Sequence, residues 1–316
     1  RRAGYASGRR KKKMSTEEQE AEFEEISLSR IIYGVWRWDA CEPFQISWGR
    51  EIIEACLEAE ITTFDHADIY GDFRCEEYFG RVLRESPGLR DKIEIISKCG
   101  IQFPSSRRPG VTNKHYNTSS AHIRQSVDTS LKNLATDHID LLLIHRPDPR
   151  MDFEDTADGL EAVVESGKVR AVGVSNFLPW QFDTLSEFLN IPLVTNQVEF
   201  SVMHHDPMHD GTIAQSQLHG FPITAWSPLG GGSLFTGNDE KSIRLRECLK
   251  EIGEPKGFNI AQTALSWILQ HPAEILPVIG SNKLERIQEY AAAQDMTWEL
   301  QDWYKVVEAS EGKEIP

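Results

Sequence analysis

Eight times along this chain a short apolar run gives way to a helical pattern, and no other feature limits the possible folds so strongly. The runs are Ile31–Trp36, Thr62–Phe64, Ile93–Ser97, Ile139–Ile144, Val169–Val174, Val194–Phe200, Ile223–Trp226 and Ile275–Ile279. Most lack a polar alternate face, which implies burial on both sides and hence parallel pairing. Helices are expected over Trp48–Ala59, Glu76–Arg84, Ser119 or Ser120 to Leu134, Phe153–Ser166, Pro179–Leu189, Ile213–Leu218, Ser242–Ile252, Ile260–Gln270, Leu284–Ala293 and Leu300–Ala309. Pro179 suits the first position of its helix, and Gly167 suits a left-handed cap. Eight strand–helix units predict an α/β protein closed into a (β/α)8 barrel, with an extra helix at the C-terminus. A doubly wound open sheet is the alternative, against which no Gly-x-Gly-x-x-Gly follows an early strand.

In such a barrel the carboxyl ends of the strands meet at one face. Here those ends read Asp65, Lys98, His145, Ser175-Asn176, Gln197, Ser227 and Gly280-Ser281. Neighbouring strands two, three and four would bring Asp65, Lys98 and His145 together, and Tyr70 would hang over them from the following loop. A buried carboxylate needs a partner, and Lys98 is the natural one for Asp65. A free phenol has a pKa of about 10; the Lys98 cation is expected to lower that of Tyr70 by favouring the phenolate. His145 can hydrogen-bond a carbonyl oxygen, and Tyr70 can hand that oxygen a proton. The set suits a carbonyl receiving hydride, with negative charge building on oxygen.

No side chain transfers hydride, so a cofactor is required. Trp226 can stack on a nicotinamide ring, with Ser175, Asn176 and Gln197 hydrogen-bonding its carboxamide. The backbone from Leu229 to Gly232, beside Ser227, can lie against a pyrophosphate. Ser281, Lys283 and Arg286, with Gly280, sit where the last barrel helix begins and can bind a 2′-phosphate. Blander readings stand beside these. Asp65 and Lys98 also fit a structural ion pair, His145 a core histidine, Gly230-Gly231-Gly232 a flexible linker, and Lys283 and Arg286 a solvated face. Trp36, Trp38, Phe73 and Trp180 either line a substrate pocket or pack the barrel rim.

The chain resembles the aldo-keto reductases in Phe64-Asp65-His66-Ala67-Asp68-Ile69-Tyr70-Gly71, Ser97-Lys98-Cys99, Leu141-Leu142-Leu143-Ile144-His145, Gly167-Lys168-Val169-Arg170, Gly173-Val174-Ser175-Asn176-Phe177, Asn196-Gln197, Trp226-Ser227-Pro228-Leu229 and Ile279-Gly280-Ser281-Asn282. The Trp226-Ser227-Pro228-Leu229 form is similar to the branch of bacterial general reductases and potassium-channel β subunits. The resemblance implies a TIM barrel, a catalytic tetrad of Asp65, Tyr70, Lys98 and His145, and NADPH bound without a Rossmann domain. His66 departs from the Thr or Ser common at its position. Two other functions stay open: an NADPH-binding redox sensor with little turnover, and a Schiff-base lyase using Lys98.

Composition narrows the partners. The net charge is −15, although residues 1–13 hold seven basic residues and no acid, so the remainder is more acidic still. An acidic globule argues against nucleic acid. No stretch approaches the roughly 18 apolar residues of a membrane span. Residues 1–25 are expected to be a leader plus an acidic segment, and 26–316 one catalytic barrel. The five cysteines, Cys41, Cys56, Cys75, Cys99 and Cys248, contain no Cys-x-x-Cys and fit reduced thiols in the cytoplasm. Cys99 adjoins the site, as a packed small hydrophobe or a redox-active thiol. The expected partner is a small carbonyl compound, bound by a monomer or weak oligomer.

Overall fold

The computed structural model describes residues 26–316, so the expected leader over 1–25 lies outside the described residues. Eight parallel strands close into a barrel: β1 (Ile32–Gly34), β2 (Thr63–Asp65), β3 (Glu94–Cys99), β4 (Ile139–Ile144), β5 (Val169–Ser175), β6 (Leu193–Glu199), β7 (Ile223–Trp226) and β8 (Leu276–Ile279). Each strand pairs with its sequence neighbours, and β8 returns to β1 through Ile32–Val278 and Tyr33–Ile279. The open-sheet alternative is thereby set aside. The strand interiors are buried almost throughout, which is why they read as unbroken apolar runs.

Ten helices of eight residues or more surround the barrel among the described residues: α1 (Ile46–Glu58), α2 (Cys75–Arg84), α3 (Ser120–Leu134), α4 (Phe153–Glu165), α5 (Pro179–Phe188), α6 (Thr212–His219), α7 (Glu240–Gly253), α8 (Ile260–Leu269), α9 (Leu284–Ala291) and α10 (Leu300–Glu311). Their starts follow local chemistry. Ser119 caps α3 by accepting from the His122 N–H, and Asp152 and Asn259 cap α4 and α8 in the same way. Gly167 takes the left-handed conformation after α4, at φ 74°.

The differences from expectation lie in the loops that build the barrel mouth. β3 runs on through Lys98 and Cys99, so Lys98 belongs to the strand itself. The long segment after it carries a two-stranded ribbon, Ile101–Gln102 against His115–Tyr116. The glycine-rich segment is not a linker: Gly230–Gly232 forms a 3-10 turn, and Ser233–Thr236 a helical turn. Among the described residues no helix is long and apolar enough to cross a membrane.

Candidate active site

Lys98 sits at the centre of the expected cluster with its side chain fully buried. Its Nζ donates to both carboxylate oxygens of Asp65, at 2.8 and 2.7 Å, and to the His66 carbonyl at 2.7 Å. It also donates to Tyr70 Oη at 3.1 Å. Asp65 Oδ1 accepts a further bond from Gln197 Nε2 at 2.9 Å. The carboxylate thus ties three strand ends together. The tyrosine oxygen accepts from the ammonium, which leaves its own O–H to donate elsewhere.

Backbone geometry aims that hydroxyl. Directly after Tyr70, the residues Gly71, Asp72 and Phe73 all have positive φ, at 60°, 54° and 64°. A bulky residue such as Phe73 seldom adopts this conformation, and the run turns the chain sharply above β2. Gly71 is required there, because an added Cβ would lie 2.7 Å from Cys75 Sγ and 2.8 Å from Asp39 Cβ. Tyr70 stands edge-on to His145, ring centroids 6.0 Å apart.

Burial sets the protonation states. The Tyr70 hydroxyl is pushed above the ordinary phenol value, because burial outweighs the opposing pull of Lys98 and Asp65 adds to the rise. The expected lowering by Lys98 is therefore corrected: the cation is adjacent, but desolvation wins. Tyr70 holds its proton, as a general acid must. Burial pulls the Lys98 ammonium down, but Asp65 and Tyr70 outweigh that, and it stays charged. His145 is driven well below the usual imidazole range by burial and by Lys98, so it is neutral. Its Nδ1 is buried without a hydrogen-bond partner.

A cavity of about 360 Å³ opens over this cluster. Of the expected residues, Asp65, Tyr70, His145, Ser175, Asn176, Gln197, Trp226, Ser227, Leu229, Gly280, Ser281 and Arg286 all reach its wall. Lys98 lies beneath it. Lys283 is not in the wall; it is exposed at the start of α9, its N–H on Ser281 Oγ. Several expected ligand-binding groups are already engaged within the protein. Ser175 Oγ donates to the Gln197 carbonyl, and Asn176 Nδ2 donates to Ser175 Oγ. Asn176 Oδ1 accepts from Trp226 Nε1 at 3.0 Å. Asn176 thus holds the indole in place, and Gln197 holds Asp65.

The four rim aromatics divide. Trp36 lines the cavity and Trp180 does not. Trp38 is buried against Phe44, Trp48 and Phe79, and Phe73 stacks on Phe103. Arg37, Arg146, Phe235 and Tyr290 also line the cavity and were not anticipated. Arg37 and Arg146 did carry a signal: each directly follows a residue that lines the same wall. The Arg146 guanidinium lies 5.8 Å from the centre of the Trp226 ring. Cys99 is fully buried and its thiol is pushed up by burial, as suits a packed hydrophobe.

His66 contributes its carbonyl to the site, not its ring. Both ring nitrogens are buried without hydrogen-bond partners, and the ring meets Phe79 edge-on at 4.5 Å. Burial, then the Lys98 charge, lowers its pKa to about 3. The unfolded chain, with an ordinary histidine near 6.5, binds that proton first. Titration of His66 therefore contributes nothing above pH 6.5 and destabilises the fold increasingly as pH falls from there toward about 3. Replacing His66 with Thr is expected to flatten the pH dependence of stability across this window, by up to about 1.4 kcal/mol per pH unit. Denaturant unfolding of both proteins from pH 4 to 7 measures it. Asp68, pushed up to about 8 by burial and then by Glu76, runs the opposite way, so the difference between the two proteins carries the test.

The polar cluster lies at the carboxyl ends of the barrel strands, where proteins of this fold build their sites. The Aldo/keto reductase family model matches residues 30–311, and the chain belongs to that family. Among its relatives, a 6-dehydroglucose reductase of Agrobacterium fabrum is 46% identical over 292 residues, which cover 92% of this chain and 97% of that protein. Oxidoreductase YdhF of Escherichia coli is 43% identical, covering 92% and 96%. The solved aldo-keto reductase Tm1743, crystallised with the inhibitor epalrestat, superposes with a TM-score of 0.74 at 26% identity, covering 90% of this chain and 96% of its own.

Proposed function

We propose that the chain reduces the carbonyl group of an aldehyde or ketone to an alcohol with NADPH, and that Tyr70 is the general acid. One observation supports this most: Tyr70 Oη accepts from Lys98 at 3.1 Å, on the wall of a cavity it shares with neutral His145. A carbonyl oxygen placed between them would take the Tyr70 proton as charge develops, while an imidazole N–H donates to the same oxygen. The ammonium of Lys98 stabilises the phenolate left behind, and Asp65 keeps that ammonium in position.

The cavity's residues suit a nicotinamide dinucleotide. Trp226 offers a flat ring held by Asn176. Gly231 and Gly232 have positive φ and open space where a Cβ would stand, so backbone alone borders the cavity there. Arg286 supplies a cation for a phosphate. When bound, the nicotinamide supplies the hydride. The name of the Agrobacterium relative supports a sugar-derived carbonyl among the substrates. The five cysteines are unpaired, which favours a reducing compartment, the cytoplasm. We place no nucleic acid or membrane among the partners, and expect a monomer or weak oligomer.

The test follows nicotinamide absorbance with aldehydes, ketones and sugar-derived carbonyls, using NADPH against NADH. Turnover with NADPH is expected. Arg286→Ala should raise KM for NADPH about tenfold and leave that for NADH nearly unchanged, since one charge-assisted contact to a phosphate is lost. Tight NADPH binding without turnover on any carbonyl would overturn the reductase reading. Equal effects on both cofactors would remove Arg286 from the 2′-phosphate site.

A further inference from the structure

We propose that His205, His209 and Glu311 form a binding site for a divalent transition-metal ion, Zn(II) by its donor chemistry, with a fourth position open to water. The two histidines flank the 3-10 turn Asp206–Met208 that follows β6, and Glu311 is the last residue of α10. Both imidazoles address one oxygen: Glu311 Oε1 lies 3.5 Å from His205 Nε2 and 3.6 Å from His209 Nε2. The three candidate ligand atoms all lie within 4.8 Å of one another. Ligands about 2.0–2.1 Å from a tetrahedral zinc stand roughly 3.3 Å apart, so small rotations of the exposed His209 and Glu311 side chains about the buried His205 complete the geometry.

The surroundings support an ion at this point. His205 is 8% exposed, and its other ring nitrogen, Nδ1, lies 3.4 Å from Ser310 Oγ. With Ser310 Oγ accepting from Nδ1–H, the tautomer that a bound ion requires, Nε2 is free to ligate. The second carboxylate oxygen, Oε2, is 3.5 Å from Lys313 Nζ, so the lysine occupies the oxygen the histidines do not. Two imidazoles and one carboxylate suit Zn(II), whereas Mg(II) and Ca(II) prefer oxygen ligands throughout. None of the three residues lines the catalytic cavity. An ion here would clip α10 to the loop after β6. That loop also carries Met203, which abuts Gly230, the neighbour of Gly231 in the cavity wall.

The test uses metal-stripped protein without a histidine tag. Titration with Co(II) is expected to saturate at one equivalent, with the intense visible absorption of a four-coordinate ion, and Zn(II) should displace it. Zn(II) should also raise the thermal midpoint. His209→Ala and Glu311→Gln are each expected to weaken binding by at least about tenfold and to remove the thermal shift. Both side chains reach solvent, at 61% and 26% exposure, so the variants should fold and keep carbonyl reduction. Absence of stoichiometric binding would overturn the site. So would binding that survives both substitutions, which would put the ion elsewhere, for instance on Cys41 or Cys248.

Discussion

Tyr70→Phe is expected to lower kcat by about a hundred- to ten-thousand-fold, the usual worth of a positioned general acid, with NADPH affinity nearly intact. The substitution removes one oxygen and keeps the ring beside His145. The cavity keeps its shape, and the groups suited to the dinucleotide are unchanged. What is lost is the only hydroxyl that both accepts from Lys98 and faces the cavity among the described residues. The deficit should appear in kcat, because the proton moves only as charge builds on the carbonyl oxygen. Stopped-flow turnover and fluorescence titration with NADPH measure the two quantities separately. Near-normal kcat would end the assignment of Tyr70. A matched loss of cofactor affinity would make it a binding residue instead.

The second large effect is expected at Lys98. Lys98→Met removes the partner of a carboxylate that is itself buried, its side chain 4% exposed. Asp65 would keep only the Gln197 amide. Breaking a buried ion pair from one side costs about 3–5 kcal/mol, because a charge is left uncompensated. The variant should therefore lose that much stability in urea unfolding, as well as nearly all turnover. Adding Asp65→Asn should restore part of the stability, since neither residue then carries an unpaired charge, and should restore no activity. A single Lys98→Met variant as stable as the parent would contradict this account of the pair. Recovery of turnover in the double variant would contradict the catalytic one.

How far the sequence could be read depends on the range of the force involved. Strands such as Ile139–Ile144 announce themselves because burial on both faces needs apolar residues at every position. Polar residues at the strand ends follow from the same logic, so Asp65, Lys98 and His145 were legible. The helical turn at Ser233–Thr236 was not, because three glycines in succession suggest flexibility unless their positive φ values are known. The direction of the Tyr70 shift was misjudged, since proximity to Lys98 can be inferred from motif order but the depth of burial cannot. The parts played by Asn176 and Gln197 depend on which neighbour lies within about 3 Å, which is settled by inter-strand register. His205 and His209 stand four apart in sequence, yet nothing there shows that the final helix brings Glu311 to them.

The closed sheet has a consequence for handling the protein. The complete ring offers no unpaired strand to a neighbouring molecule, and the other sheet among the described residues is a ribbon of two-residue strands, so the native state gives little purchase to amyloid-like stacking. That protection exists only once β8 has met β1, a contact that spans nearly the whole chain and forms slowly for that reason. Until the ring shuts, segments as greasy as Leu141–Ile144 are available to other chains. Dilution and low temperature during refolding, more than any change to the finished surface, are what should keep this protein out of precipitates.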